Sequence, residues 1–189
     1  MDLILLQPGN AEMFGGLMDG ADDNPVLTED GRESGDIKFA QCIELVSLRQ
    51  GMKQQITTDP SNLARNSDRP VITEFTCVKY VDKTSVKLYE YCLRAQVLST
   101  DQKSPTKIFI LRKTNEKFAV FMTIELRDAI ISEIQFQSHP NDMPTEQFKL
   151  SFTEILCTYS VQGADKANPG NFTSGWSIAH NRPIAQLTD

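Results

Sequence analysis

Only one stretch of this chain carries a helical period. Leu88, Cys92 and Ala95 recur at helical spacing, with Val86, Tyr89 and Leu93 beside them, and Ser85 stands where a hydroxyl can cap the first turn. This predicts one short helix from Ser85 to about residue 94, whose apolar stripe must pack on something larger. The segments around it read as strands: residues 1–6, 41–48, 71–78, 107–112, 118–126 and 130–137. In the last of these, Ile130, Ser132, Ile134 and Phe136 alternate with Ile131, Glu133, Gln135 and Gln137, the two faces of a half-buried strand. Phe148, Leu150 and Phe152 point one way, and after Thr153 the apolar parity flips to Ile155, Cys157 and Tyr159. Such a flip requires a bulge or a change of buried face. Trp176, Ile178 and Ile184 mark a final strand.

Turn chemistry separates these segments. Thr114-Asn115-Glu116-Lys117 reads as a hairpin turn, His139-Pro140-Asn141-Asp142 as a second turn, and residues 53–69 and 163–170 as polar loops. Strands follow strands without intervening helices, so parallel βαβ winding is excluded. The expected architecture is mainly β: a small antiparallel β-barrel or sandwich of roughly seven to nine strands, one flanking α-helix and long polar loops.

Composition sets the outer limits. The chain has 189 residues, 40% of them hydrophobic, which is enough for the core of a single domain spanning 1–189 and excludes predominant disorder. Its longest apolar runs, residues 108–111 and 118–122, fall far short of the roughly 20 residues of a spanning helix, so no membrane insertion is expected. A net charge of −6 argues against a nucleic-acid partner. The start, Met1-Asp2-Leu3-Ile4-Leu5-Leu6, opens with an acid and stops at Gln7-Pro8-Gly9, so no signal peptide is expected. Cys42, Cys77, Cys92 and Cys157 are widely spaced in apolar segments. They could form two disulfides, but the favoured reading is reduced, buried thiols of a cytoplasmic product.

The acids are concentrated in one place. Glu12, Asp19, Asp22, Asp23, Glu29, Asp30 and Glu33 face a single base, Arg32, so residues 9–34 of the acidic 9–36 loop carry a charge equal to the whole net charge of −6. It reads as a solvated loop or as a surface that meets basic groups. Its order does not match a calcium-binding loop. Lys103, Lys107, Arg112, Lys113 and Lys117 cluster on one hairpin, either as a solvated face or as the landing place of an acidic loop from a neighbouring subunit. A search for chemistry finds little. His139 and His180 are the only histidines, no metal-ligand spacing accompanies them, and no nucleophile elbow, zinc-protease or phosphate-loop pattern occurs. Gly31-Arg32-Glu33-Ser34-Gly35 does not lead into a helix, and Asn171-Phe172-Thr173 is a sequon without a secretory route. The residues alone leave function open.

Three segments together carry a resemblance. They are Gly31-Arg32-Glu33-Ser34 with Ile43-Glu44-Leu45 and Gly51-Met52; Phe75-Thr76-Cys77-Val78-Lys79-Tyr80-Val81-Asp82-Lys83-Thr84-Ser85 running into Leu88 and Cys92; and Ser174-Gly175-Trp176-Ser177-Ile178. In this order they resemble the Hcp (haemolysin-coregulated protein) family, the tube subunit of bacterial type VI secretion systems. The chain departs from the family in its acidic insertion, in Leu48 and Gln50 where tryptophan is common, and in Val86 where the helix often begins with proline.

The resemblance implies a small β-barrel with one helix, six copies in a ring, and rings stacked into a tube that a contractile sheath propels from the cell. Its partners would be further copies of itself, the sheath, baseplate and spike proteins, and effectors carried in the lumen. It implies residence in the bacterial cytoplasm followed by secretion, with no catalysis, cofactor or metal. Ser47 and Arg49 share one face of the second strand, and Arg49 falls at a lumen-facing position of the family; both are candidate effector contacts. Asp19, Asp22, Asp23 and Lys113 are candidate subunit or ring contacts. Trp176 reads as core rather than site. Other readings are a tail-tube-like subunit of another contractile injection particle, a monomeric barrel holding an apolar ligand, and an enzyme using His139 or His180 beside a cysteine.

Overall fold

A computed structural model describes residues 2–10, 13, 41–54, 56–58, 65–67, 69–99, 103–114, 117–161 and 170–188. Along the chain the strands are β1 (Asp2–Gln7), β2 (Ile43–Leu45), β3 (Ser47–Arg49), β4 (Met52–Lys53), β5 (Ile56–Thr58), β6 (Arg65–Ser67), β7 (Val71–Ile72) and β8 (Phe75–Tyr80). After the helix α1 (Ser85–Leu93) come β9 (Thr106–Thr114), β10 (Lys117–Arg127), β11 (Ile130–Gln137), β12 (Thr145–Ser151), β13 (Glu154–Ser160), β14 (Asn171–Ser177) and β15 (Arg182–Ile184). Seven strands form one antiparallel sheet in the order β15-β14-β13-β10-β9-β1-β2, and four form another in the order β11-β12-β8-β3. The apolar side chains between them make one core, with Phe75, Cys77, Phe148 and Leu150 from the smaller sheet against Leu6, Leu45, Ile108, Ile124 and Ile155 from the larger. Full burial of each large apolar side chain stabilises the fold by roughly 1.5–3 kcal/mol.

The barrel expected from the sequence is not closed. Among the described residues no ladder joins the two edges of either sheet, and the molecule is two open antiparallel sheets over a filled core. The sheets are joined by strands that bend from one to the other. β2 leaves the large sheet at Val46 and continues as β3 in the small one; β10 passes into β11 through residues 128–129; β12 passes into β13 through residues 152–153. The parity flip after Thr153 is this last crossing. The second crossing is made by Asp128, at φ 48°, a conformation Asp tolerates better than most residues. Thr153 donates its N–H to the Arg127 carbonyl at 3.0 Å and its hydroxyl to the Asp128 carboxylate at 2.9 Å, fixing both corners together.

β1 explains its unbroken apolar run. Leu6 belongs to the main core, while Leu3 and Leu5 join a second cluster with Cys42, Phe109 and Leu111 on the opposite face of the sheet. A strand buried on both faces loses the alternation of a half-exposed one.

Four local expectations need correction. Residues 53–69, read as loop, contain a short ribbon in which Ile56 pairs with Ser67 and Thr58 with Arg65. The strand read at 71–78 is divided, because Thr73 bonds across to both the N–H and the carbonyl of Gly51 and holds β7 away from the small sheet. Ser85 does not cap α1. Thr84 is the cap residue, without a side-chain cap bond, and the Ser85 hydroxyl is committed elsewhere. The helix buries Ser85, Leu88 and Tyr91, whereas Val86 and Leu93 are 67% and 85% exposed, so its apolar residues do not form one buried stripe. It ends in a Schellman pattern: Gln96 N–H bonds Tyr91 O, Ala95 N–H bonds Cys92 O, and Ala95 takes φ 48°.

Candidate functional site

The alternation of β3 places Leu48 toward the core and Ser47 and Arg49 on the other side, both exposed. Ladder register extends that face across the small sheet. Arg49 lies opposite Thr76, Thr76 opposite Lys149, and Lys149 opposite Glu133. The next row is Ser47, Val78, Gln147 and Gln135, and the next is Tyr80, Thr145 and Gln137. The result is an open face of hydroxyls and amides with few charges. Lys149 is ion-paired to Glu133, whose hydrogen bond raises the ammonium above its ordinary value, helped by the charge of Glu74. The same bond holds the Glu133 carboxyl below the usual range.

The reverse of this sheet carries a buried polar lock. Lys79 follows Phe75 and Cys77 on the core face and is 1% exposed. Its Nζ donates to Glu146 Oε1 at 3.0 Å, to Tyr80 O at 2.8 Å and to Ser85 Oγ at 3.3 Å, and lies 3.0 Å from Asp82 Oδ1. Ser85 donates to Glu146 Oε1 at 2.8 Å and accepts the Asp82 N–H at 3.1 Å. Asp82 in turn accepts the Thr84 N–H at 2.7 Å and the Thr84 hydroxyl. β8, β12 and the start of α1 are thereby tied by one network. Glu146 Oε2 has no partner within the described structure.

A second buried carboxylate lies at the corner of the large sheet. Glu154 faces Arg127 across one ladder and Ser177 across the other. It accepts the Thr188 N–H at 2.9 Å and the Thr188 hydroxyl at 2.8 Å. Burial works against its charge, but the two Thr188 bonds, the Ser177 hydroxyl and the Arg127 guanidinium prevail and hold the carboxyl below its ordinary value. The sequence reading missed both buried acids. For Lys79 a signal existed, because period-two counting from Phe75 puts it inside; the meeting of Glu154 with Thr188 has no local signature.

Other expected sites are placed differently. Asp19, Asp22 and Asp23 lie outside the described residues. Lys113 lies in β9 opposite Phe118, and its side chain is outside the description. The basic hairpin is already partly engaged: Lys107 pairs with Glu125 at 2.8 Å, and the Arg112 guanidinium sits 4.9 Å over the Phe121 ring. His139 is in the turn between β11 and β12 and His180 in the turn between β14 and β15, so the fold puts them on different sheets. Among the described residues no group of acids, histidines and cysteines could hold a metal ion, and no helix is long and apolar enough to cross a membrane. All four cysteines are free, Cys42 and Cys77 buried.

Comparison with known proteins identifies the family. The model of the Hcp family, described as type VI secretion system effector, matches residues 24–159, from before β2 into β13 and including α1. No curated protein matches the chain significantly in sequence. Among solved structures, Hcp1 from Salmonella typhimurium is 22% identical over 97% of this chain and 99% of its own, with a TM-score of 0.63. A variant of Hcp1 from E. coli EAEC 042 is 18% identical over 94% and 97%, with a TM-score of 0.57. Hcp3 from Pseudomonas aeruginosa is 15% identical over 94% and 98%, with a TM-score of 0.56. These likenesses carry the fold, and the family match carries the assignment: the chain belongs to the Hcp family of type VI secretion proteins.

Proposed function

We propose that the chain is the subunit of a type VI secretion tube. Six copies form a ring, and stacked rings form a tube that a contractile sheath drives out of the bacterium with its baseplate and spike. The observation that carries this reading is the family match through α1 and strands of both main sheets. The role is structural and passenger-carrying, without catalysis. The polar face of the small sheet supports it, because a lumen wall must stay wetted and must not grip what slides past it. Ser47 and Arg49 are the passenger contacts at one margin of that wall. The two edge strands of the small sheet, β3 and β11, are unlike surfaces, β11 being bridged at Ile130 by Val97, as a head-to-tail ring contact requires. Asp19, Asp22, Asp23 and Lys113 contribute to contacts between subunits or rings. The protein resides in the cytoplasm until the apparatus expels it.

Light scattering on the purified protein, with negative-stain imaging of the same fraction, tests the reading. The expected mass is about 127 kDa, six times the 21.2 kDa chain, with a stain-filled centre. A monomer at all protein and salt concentrations would overturn it.

A further inference from the structure

We propose that Glu154 and Arg127 form a latch for the chain's last described residues: a two-point receptor for a threonine, filled by Thr188, that opens without the sheets coming apart. The contacts run through both carboxylate oxygens of Glu154 and one terminal nitrogen of Arg127. Glu154 Oε2 accepts the backbone N–H of Thr188, and Oε1 accepts its hydroxyl. The hydroxyl oxygen in turn accepts from Arg127 Nη1 at 2.6 Å. Arg127 Nη1 and Glu154 Oε2 are 3.8 Å apart, so the hydroxyl bridges the ion pair rather than merely lying beside it. Serine can reproduce this pattern. Valine lacks the hydroxyl, and aspartate would set one carboxylate against another.

The receptor is preformed. Glu154 is 2% exposed, and its neighbours Arg127 and Ser177 are its ladder partners on β10 and β14. The occupant is held by little else. Between β15 and Thr188, Ala185 and Gln186 are exposed, and only Leu187 is half-buried. The corner beneath has its own backbone bonds: Thr153 N–H to Arg127 O at 3.0 Å and Ile178 N–H to Thr153 O at 2.9 Å. Those bonds do not involve the tail, so its release is a local opening. The closed latch holds residues 185–188 against the end of the large sheet, and opening it exposes them.

Amide hydrogen exchange, read by mass spectrometry on the C-terminal peptide, tests this in the full chain. In the wild type and in T188S the Thr188 amide exchanges slowly. In T188D it exchanges at least about ten-fold faster, while the β13 amides stay protected. E154Q, which keeps the shape and removes the charge, gives the same acceleration from the receptor side should T188D fail to fold. The proposal is overturned if the wild-type amide exchanges like that of a free peptide, if neither variant accelerates it, or if β13 loses protection together with the tail.

Discussion

Lys79 Nζ lies 3.0 Å from Glu146 Oε1, and both side chains are closed to solvent beneath the start of α1. Removing either partner strands the other in the core. Lys79→Met or Glu146→Leu alone is expected to cost about 3–5 kcal/mol, whereas the double replacement recovers most of the loss because no buried charge remains. Urea unfolding of the three variants checks this. A double variant that loses the sum of the two singles would show that the pair is not coupled.

Gly175 leaves no room for a side chain. A Cβ there would sit 2.7 Å from Leu156 Cδ1, 2.9 Å from Ile184 Cγ1 and 2.9 Å from the Ile155 carbonyl, and the carbonyl cannot swing away. Gly175→Ala should therefore destabilise by about 1–3 kcal/mol, seen as a lower Tm in calorimetry. An unchanged Tm would mean that β14 shifts without cost.

Glu154 gives the fold an acid-side sensitivity. Its carboxyl is lower in the folded chain than in the unfolded one, so its stabilisation is present above the ordinary carboxylate range and is lost as pH falls through the folded value. Stability measured by denaturant between about pH 6 and pH 3 should fall more steeply in the wild type than in E154Q. Parallel curves would remove Glu154 from the account.

Thiol reactivity should follow burial. Desolvation pushes Cys42 and Cys77 up to about 12, and raises Cys157 as well. At pH 8 an aromatic disulfide reagent is expected to label Cys92 first and to reach Cys42 and Cys77 only after denaturant is added. Rapid modification of Cys77 in the native protein would contradict the packing of the small sheet.

Arg49 is exposed and remote from the core, so Arg49→Glu should change stability by no more than about 0.5 kcal/mol and leave the assembly mass as it was. If the polar face is the lumen wall, proteins that co-purify with wild-type rings should be lost from the variant. Unchanged passengers with intact rings would move the contact off this margin and leave the tube reading standing.

Part of the fold could be read from alternation. Ile130–Gln137 gives the bounds of β11 but not its faces, because a register shift between Ile131 and Glu133 breaks the alternation and leaves Ile131 buried and Phe136 exposed; the flip after Thr153 marks a strand leaving one sheet for the other, and Leu88 with Cys92 marks α1. Sheet closure could not be read, because alternation says which side of a strand is buried and not which strand lies at an edge. The Ser85 cap failed because a hydroxyl that suits a helix terminus also suits a buried Lys79–Glu146 pair, and the buried pair prevails. For the site, placing Ser47 and Arg49 on one face needed only period two. Extending that face to Gln147 and Gln135 needed register between strands far apart in sequence.

The three crossings at Val46, residues 128–129 and residues 152–153 also decide how the molecule bears force. A push on one sheet reaches the other through covalent backbone at these three corners and again through the α1 connection from β8 to β9, and not only through side chains that could slip. Shearing the layers past one another would have to bend those corners, where the Thr153 and Asp128 bonds resist first. The two sheets therefore respond to load as one plate.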